Sequence, residues 1–160
     1  MRAAIAAGLM LFATLECQAA SPTANLFGIP RGMKLQDFPH QKSSDPRIAR
    51  LIKVPRPGPH FVRFMSKTTP ANEICRVTGR TYPLEPEAGQ SVANSLLSEL
   101  RESFGAPTLR EAKFQVFESE DVLVSAGFLN SGEFYTTMTF KPLSACGEKR
   151  PTPVERSFTQ

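Results

Sequence analysis

One stretch in the middle of the chain repeats its hydrophobic residues at the spacing of a helix. The apolar residues fall three and four positions apart, and polar residues occupy most positions between them. They are Val92, Leu96, Leu97, Leu100 and Phe104. Pro86, between two glutamates, suits the start of a helix, and Gly105 followed by Pro107 suits its end. The pattern predicts one amphipathic helix.

Runs of alternating apolar and polar residues on either side of this helix predict β-strands. Turn-forming residues separate neighbouring runs. The runs are Phe61 to Lys67, Glu73 to Tyr82, Lys113 to Glu118, Val122 to Leu129, and Glu133 to Lys141. In the last run Phe134, Met138 and Phe140 share one face, which we expect the helix to cover. The predicted fold class is α+β, with one main helix packed on an antiparallel sheet of about five strands.

The two ends of the chain lack such periodicity. Prolines and glycines interrupt residues 20–59, so we expect an irregular N-terminal arm, in which residues 48–54 form a short helix or an edge strand. Residues 147–160 are rich in charge and proline and predict a flexible tail. Residues 60–146 then form the α+β core, and the length of 160 residues fits one such domain.

Residues 1–19 have the layout of a secretory signal peptide. Arg2 supplies a positive start, an apolar run over residues 3–15 follows, and Ala19 precedes the expected cleavage point. The apolar run is shorter than the roughly 20 residues that a membrane-spanning helix needs, so no transmembrane span is expected. A lipoprotein signal with Cys17 as the lipid-bearing residue is the alternative, although Glu16 fits that signal poorly. We expect a periplasmic or secreted protein.

Cleavage after Ala19 leaves two cysteines, Cys75 and Cys146. Two thiols in an exported chain predict a disulfide bond, because the compartment is oxidising. Two free thiols are the alternative. A metal-binding pair is a weaker one, since neither CxxC spacing nor clustered histidines accompany the cysteines. The predicted bond joins the end of the core to its first hairpin.

The sequence lacks the common motifs of catalytic, metal and nucleotide sites. The patterns HExxH, GxSxG and GxGxxG and the P-loop are all absent. The two histidines, His40 and His60, each stand beside a proline, where nothing predicts a catalytic geometry. Glu118, Glu120 and Asp121 cluster at a predicted hairpin tip, which a solvated turn explains. We therefore predict no catalytic residue, no metal site and no cofactor.

Charge is distributed unevenly along the chain. Residues 31–80 contain eleven bases and three acids, whereas residues 81–160 contain seven bases and eleven acids. Mutual attraction of the two halves is one explanation, and a basic face for an anionic partner is the other. Four bases recur at every third position, which would align them on one side of a polyproline-type or tightly wound segment. They are Arg47, Arg50, Lys53 and Arg56.

The segment Phe27–Phe38 contains a Gly-Met-x-x-x-acid turn and resembles the opening of small exported bacterial modules of the BamE/SmpA and β-lactamase-inhibitor-like types. The pattern Leu-x-x-x-Phe-Gly-x-Pro over residues 100–107 is similar to their helix end as well. The departures are Lys34, where a Ser or Thr cap is usual, and Pro39, which ends the helix early. The resemblance implies a compact α+β binding module without catalytic residues.

These features predict a small exported protein that acts by binding and is not an enzyme. We expect its partner to be an envelope protein or an anionic envelope surface, and not nucleic acid. In a secreted inhibitor or immunity protein, the stiff segment Pro55–His60 would insert into a target's cleft. A small-ligand carrier, with a closed apolar cavity, and an envelope hydrolase are two further functional classes that we consider. The predicted binding residues are Arg47, Arg50, Lys53, Arg56, His60 and Phe61.

Overall fold

The computed structural model describes residues 26–152, which contain eight strands and one α-helix. The helix is α1 (Pro86–Phe104), and two short 3-10 turns are Leu35–Asp37 and Leu143–Cys146. The strands are β1 (His40–Lys42), β2 (Ile48–Leu51), β3 (Arg63–Thr68), β4 (Ile74–Pro83), β5 (Leu109–Arg110), β6 (Phe114–Glu118), β7 (Val122–Phe128) and β8 (Glu133–Phe140).

The eight strands form one antiparallel sheet with the order β1-β2-β3-β4-β8-β7-β6-β5. Each half is a meander, in which strands that follow one another along the chain are neighbours. The halves meet at β4 and β8, where Val77 lies opposite Met138. Helix α1 connects β4 to β5 and so carries the chain from the centre of the sheet to its edge. The basic half of the sequence therefore becomes one half of the sheet.

The prediction of about five strands is wrong, because the sheet has eight. The five predicted runs correspond to β3, β4, β6, β7 and β8, and the class is α+β with a dominant sheet. The three additional strands have two to four residues each, and β1 and β2 lie in the stretch expected to be irregular. Runs this short show no clear alternation, and pairing with a longer neighbour supplies their backbone hydrogen bonds.

Helix α1 covers one face of the sheet on the β6–β8 side. Ala93, Leu96 and Leu100 are buried there and belong to the same core as Phe134 and Met138. Small side chains on both layers allow the helix to approach the sheet closely. The predicted apolar stripe of the helix and the apolar face of the last strand thus pack together.

The N-terminal arm covers the same face over β2–β4. The ring of Phe27 packs edge to face against Phe61 and Phe64, with centroids 5.6 and 5.5 Å apart. It lies over Gly79, where a Cβ atom would come within 3.0 Å of the ring. Aromatic pairs of this kind add about 0.5–1.5 kcal/mol beyond burial alone. The arm is therefore a part of the core, and it leaves the opposite face of the sheet open.

Cys75 and Cys146 lie at disulfide-bond distance, with Cα atoms 5.5 Å apart, which confirms the predicted bond. It joins the start of β4 to the turn that follows β8. The predicted signal peptide, residues 1–19, lies outside the described residues, as does the end of the predicted tail. The first residues of that tail contact the sheet through ion pairs of Glu148 and Arg150. Within residues 26–152, no helix has the length and apolarity that a membrane crossing requires.

Candidate functional site

The face of the sheet opposite α1 and the N-terminal arm is polar at its centre. One row of cross-strand partners runs over all eight strands along this face, from Gln41 at one edge to Leu109 at the other. In the middle of the row the hydroxyls of Thr78 and Thr137 lie 2.9 Å apart, at hydrogen-bond distance. Residues 147–152 run along one side of this face, where Glu148 and Arg150 make their ion pairs.

Five strand residues on this open face are bases, and all five lie in β2, β3 and β4. In each strand they alternate with buried residues of the covered face, as the two-residue period of a strand requires. We call these five residues the basic face. They are Arg50, Arg63, Lys67, Arg76 and Arg80.

Four of these bases form two like-charged pairs across β3 and β4. Arg63 lies directly opposite Arg80, and we call these two the upper pair; Lys67 lies directly opposite Arg76, and they form the lower pair. The Cβ atoms of such partners are about 5 Å apart in an antiparallel sheet, and like charges at this separation destabilise the pairing. Such a pair therefore stabilises the fold only where an acid bridges it.

The two pairs differ in how their charge is compensated. Glu148 bridges the lower pair, because its Oε1 accepts hydrogen bonds from Lys67 Nζ at 2.7 Å and from Arg76 Nη1 at 2.6 Å. In the upper pair, Arg63 Nη1 lies 3.4 Å from Glu133 Oε1. Arg80 makes no ion pair with any residue in 26–152, and its buried Nε has no hydrogen-bond partner there. Arg80 is therefore the one base of the two pairs that no acid within residues 26–152 contacts.

Tyr135 completes the surroundings of the upper pair. It lies directly opposite Arg80 on β8. Burial raises the pKa of the Tyr135 phenol above its ordinary value of 10.0. The phenol is therefore protonated at neutral pH.

The four bases that recur at every third position do not align on one side, because β2 is extended and repeats every two residues. Arg50 lies on the basic face, between the buried Ala49 and Leu51. Arg47 precedes the strand, and Lys53 follows it. The spacing of three would align side chains only on a polyproline-type or 3-10 helix.

Arg56 and Phe61 lie on the covered side of the sheet, where they line an open crevice of about 100 Å³ between α1 and the segment Pro55–His60. The buried Thr136 Oγ1 on its wall has no hydrogen-bond partner within residues 26–152. His60 is half-buried at the end of the segment. The backbone N–H of Arg56 donates to the carbonyl of Phe27 at 3.1 Å, so the segment is attached to its own core. These contacts favour a rigid connector over an inserting loop, and the open crevice is not the closed cavity of a carrier.

Only one of the five residues of the basic face, Arg50, was among the predicted binding residues, although a signal for the other four is present. Arg63 and Lys67 flank Met65 in one predicted strand, and Arg76 and Arg80 flank Thr78 in the next. A period of two therefore places each pair on a polar strand face. The cross-strand register that sets one pair against the other is visible only in the structure.

The predicted hairpin acids do not form a carboxylate site. The Glu118 carboxylate pairs with Lys141 at 2.8 Å and with Arg150. The hydrogen bond from Lys141 lowers the pKa of Glu118 below its ordinary value of 4.5; the charges of Lys141 and Arg150 add to this, and desolvation opposes it. No group of three His, Cys, Asp or Glu side chains suited to a metal ion occurs in the described part of the chain.

Replacing Glu118 with Gln is expected to remove a pH-dependent part of the stability. Since the pKa is lower in the folded protein than in the unfolded chain, the ionised carboxyl stabilises the fold above the unfolded value. This effect is lost as the pH falls through the folded value. For ion pairs this exposed, we expect a loss below about 1 kcal/mol near neutral pH. Urea unfolding should show the difference shrinking below about pH 4.5, and a difference independent of pH would contradict this account.

Comparisons with known proteins do not assign the chain to a family. No protein-family model, curated protein or solved structure matches it. The resemblance of its opening segment to small exported modules therefore stays a prediction. Function has to be inferred from the arrangement of charge on the open face of the sheet.

Proposed function

We propose that the chain is an exported binding protein and not an enzyme, and that its basic face docks on an acidic surface of an envelope protein. The observation that carries this proposal is the presence of two like-charged pairs on the open face, Arg63 with Arg80 and Lys67 with Arg76. Opposed like charges reduce fold stability where no acid bridges them, but they strengthen the attraction of an acidic partner and guide its approach.

Export is supported by the cysteine pair. Cys75 and Cys146 lie at disulfide distance, and disulfide bonds persist in oxidising compartments such as the bacterial periplasm. The layout of residues 1–19 points to the same compartment. We place the protein in the periplasm or outside the cell.

An acidic protein surface fits the composition of the basic face. Four of its five bases are arginines, whose planar guanidinium groups bind carboxylates through two parallel hydrogen bonds. Arginine is also enriched in protein interfaces, where apolar contacts accompany it. Here the exposed Ile52 and Val62 line a shallow groove together with Arg50. Apolar area thus lies beside the charge, in a groove that Leu51 and Phe64 of the covered face also line.

Changing Met65 to Glu is expected to weaken this interaction strongly. Met65 is half-buried on the open face, opposite Arg50 and Thr78 and between Arg63 and Lys67 along β3. A carboxylate there offsets one positive charge of the basic face without removing any base. In capture from a native envelope fraction at about 50 mM salt, we expect Met65→Glu to bind at least about tenfold more weakly, equivalent to about 1.4 kcal/mol.

Met65→Gln is the matched control, because it has the same length as Glu and no charge. It should bind like the wild type, and wild-type binding should weaken as salt is added. Equal binding of the two variants would contradict the proposal, as would binding that is independent of salt. Equally tight binding to protein-free vesicles of anionic lipid would assign the face to lipid and overturn the protein partner.

A further inference from the structure

We infer that Arg63, Arg80 and Tyr135 form a site for a single carboxylate of the acidic partner, held between the two guanidinium groups. This inference rests on the proposed function, since the partner supplies the carboxylate. It goes further because it places the specific contact at the upper pair. Diffuse electrostatic attraction would instead involve the whole basic face.

The lower pair shows how a single carboxylate is held between two opposed bases of β3 and β4. Lys67 and Arg76 stand opposite each other in the same two strands, and one oxygen of Glu148 lies within 2.7 Å of both. A carboxylate placed between two opposed bases replaces their repulsion by two charge-assisted hydrogen bonds. The tail of the chain supplies this carboxylate itself.

The upper pair has the same cross-strand register and lacks an equivalent bridge within residues 26–152. Glu133 is the acid beside it, but its Oε1 lies 3.4 Å from Arg63, and its Oε2 accepts a hydrogen bond from Ser131 at 2.8 Å. It makes no ion pair with Arg80. Each pair exceeds its one carboxylate by one charge, but Glu148 contacts both bases of the lower pair, whereas Glu133 contacts only Arg63 of the upper pair.

One hydrogen-bond donor of Arg80 lacks an acceptor among the described residues. Its Nε is buried and unpartnered among the described residues, which is an unfavourable state for a hydrogen-bond donor. Tyr135, on the other side of Arg80, adds a protonated hydroxyl. The buried Nε is closed to a docking partner, so an oxyanion above Arg80 would accept from the Nη groups and from this hydroxyl. A carboxylate is planar, so its two oxygens match the fork of N–H donors on a guanidinium group.

The first test compares two arginines of the same face. Arg80→Gln and Arg50→Gln remove the same charge, and neither residue makes an ion pair within the described residues. With the partner captured from the envelope fraction, we expect Arg80→Gln to weaken binding about 30-fold and Arg50→Gln less than about threefold. Equal losses would show that the face acts diffusely, which overturns the site and leaves the proposed function standing.

The second test needs no partner and uses the full mature chain. In NMR spectra of the arginine Nε–Hε groups, a hexaglutamate peptide should shift the Arg80 and Arg63 signals saturably. Its affinity should fall about tenfold in Arg80→Gln and stay unchanged in Arg50→Gln. No shift at Arg80 would overturn the site. Tighter saturation by inorganic phosphate than by hexaglutamate would assign the site to a phosphate ligand and overturn the carboxylate.

Stability separates a binding role of Arg80 from a structural one. Because Arg80→Gln removes one member of a like-charged pair, we expect its melting temperature to equal or exceed that of the wild type. A clear decrease would mean that the guanidinium supports the fold, and it would overturn the inference.

Discussion

Changing both Cys75 and Cys146 to Ala is expected to lower the free energy of unfolding by about 4 kcal/mol. The bond links residues 71 positions apart, and closing a loop of this length removes much of the conformational entropy of the unfolded chain. For a domain of this size, the loss corresponds to a decrease in melting temperature of roughly 15 °C. Thermal unfolding followed by circular dichroism measures it directly.

Reduction provides the control for the double variant. Wild-type protein in excess reducing agent should unfold at nearly the same temperature as the variant, because both lack only the cross-link. The variant itself should not respond to reduction. If the melting temperature of the wild type does not change on complete reduction, the bond does not stabilise the fold in the way proposed.

Changing Gly127 to Ala is expected to destabilise the protein by about 3 kcal/mol or more. The new Cβ would overlap the carbonyl oxygen of Lys113 and lie 2.7 and 2.8 Å from the Cβ and Cα atoms of Phe114. These are mostly backbone atoms, which cannot rotate away as a side-chain end can. The hydrogen bond from Phe128 N–H to the Lys113 carbonyl, 3.0 Å long, would be disturbed as well. Forced overpacking of this kind is among the largest single-residue effects.

Gly89→Ala is the matched control for this substitution. Gly89 lies in α1, where a Cβ would come no closer than 3.2 Å to Leu84. Alanine also favours the helix by roughly 0.5–1 kcal/mol over glycine. We expect the free energy of unfolding of Gly89→Ala to stay within about 1 kcal/mol of the wild type. Urea unfolding of both variants tests the contrast, and equal losses would contradict the steric explanation at Gly127.

Much of the fold follows from local patterns. The helix has a full apolar stripe and clear end signals, and five strands are long enough for their alternation to be read. β1, β2 and β5 have too few residues for that, and they become strands through pairing with a longer neighbour. The junction of β4 with β8 joins Val77 to Met138 across α1 and the strands that follow it. Local pattern contains no information about such a distant pairing.

The candidate site likewise combines features that the sequence predicts with features that only the structure shows. The uneven charge along the chain is evident from the residues alone, and ion pairs of Arg63 with Glu133 and of Lys67 with Glu148 join the two halves. Mutual attraction thus accounts for some of the bases. Arg80 makes no such pair within residues 26–152, and only the structure shows that it stands opposite Arg63. The spacing of three from which Arg50 was predicted does not align side chains on an extended strand.

By itself, the sequence determined the amphipathic helix, the five longer strands, the cysteine pair and an excess of bases in the first half, because each depends on the order of nearby residues or on simple counts. The tertiary structure decided which bases meet. Opposition across β3 and β4 depends on register, and the compensation by Glu148 depends on where the chain returns after β8. Both are set by packing between distant segments, and they leave Arg80 as the one base of the two pairs that no acid within the described residues contacts.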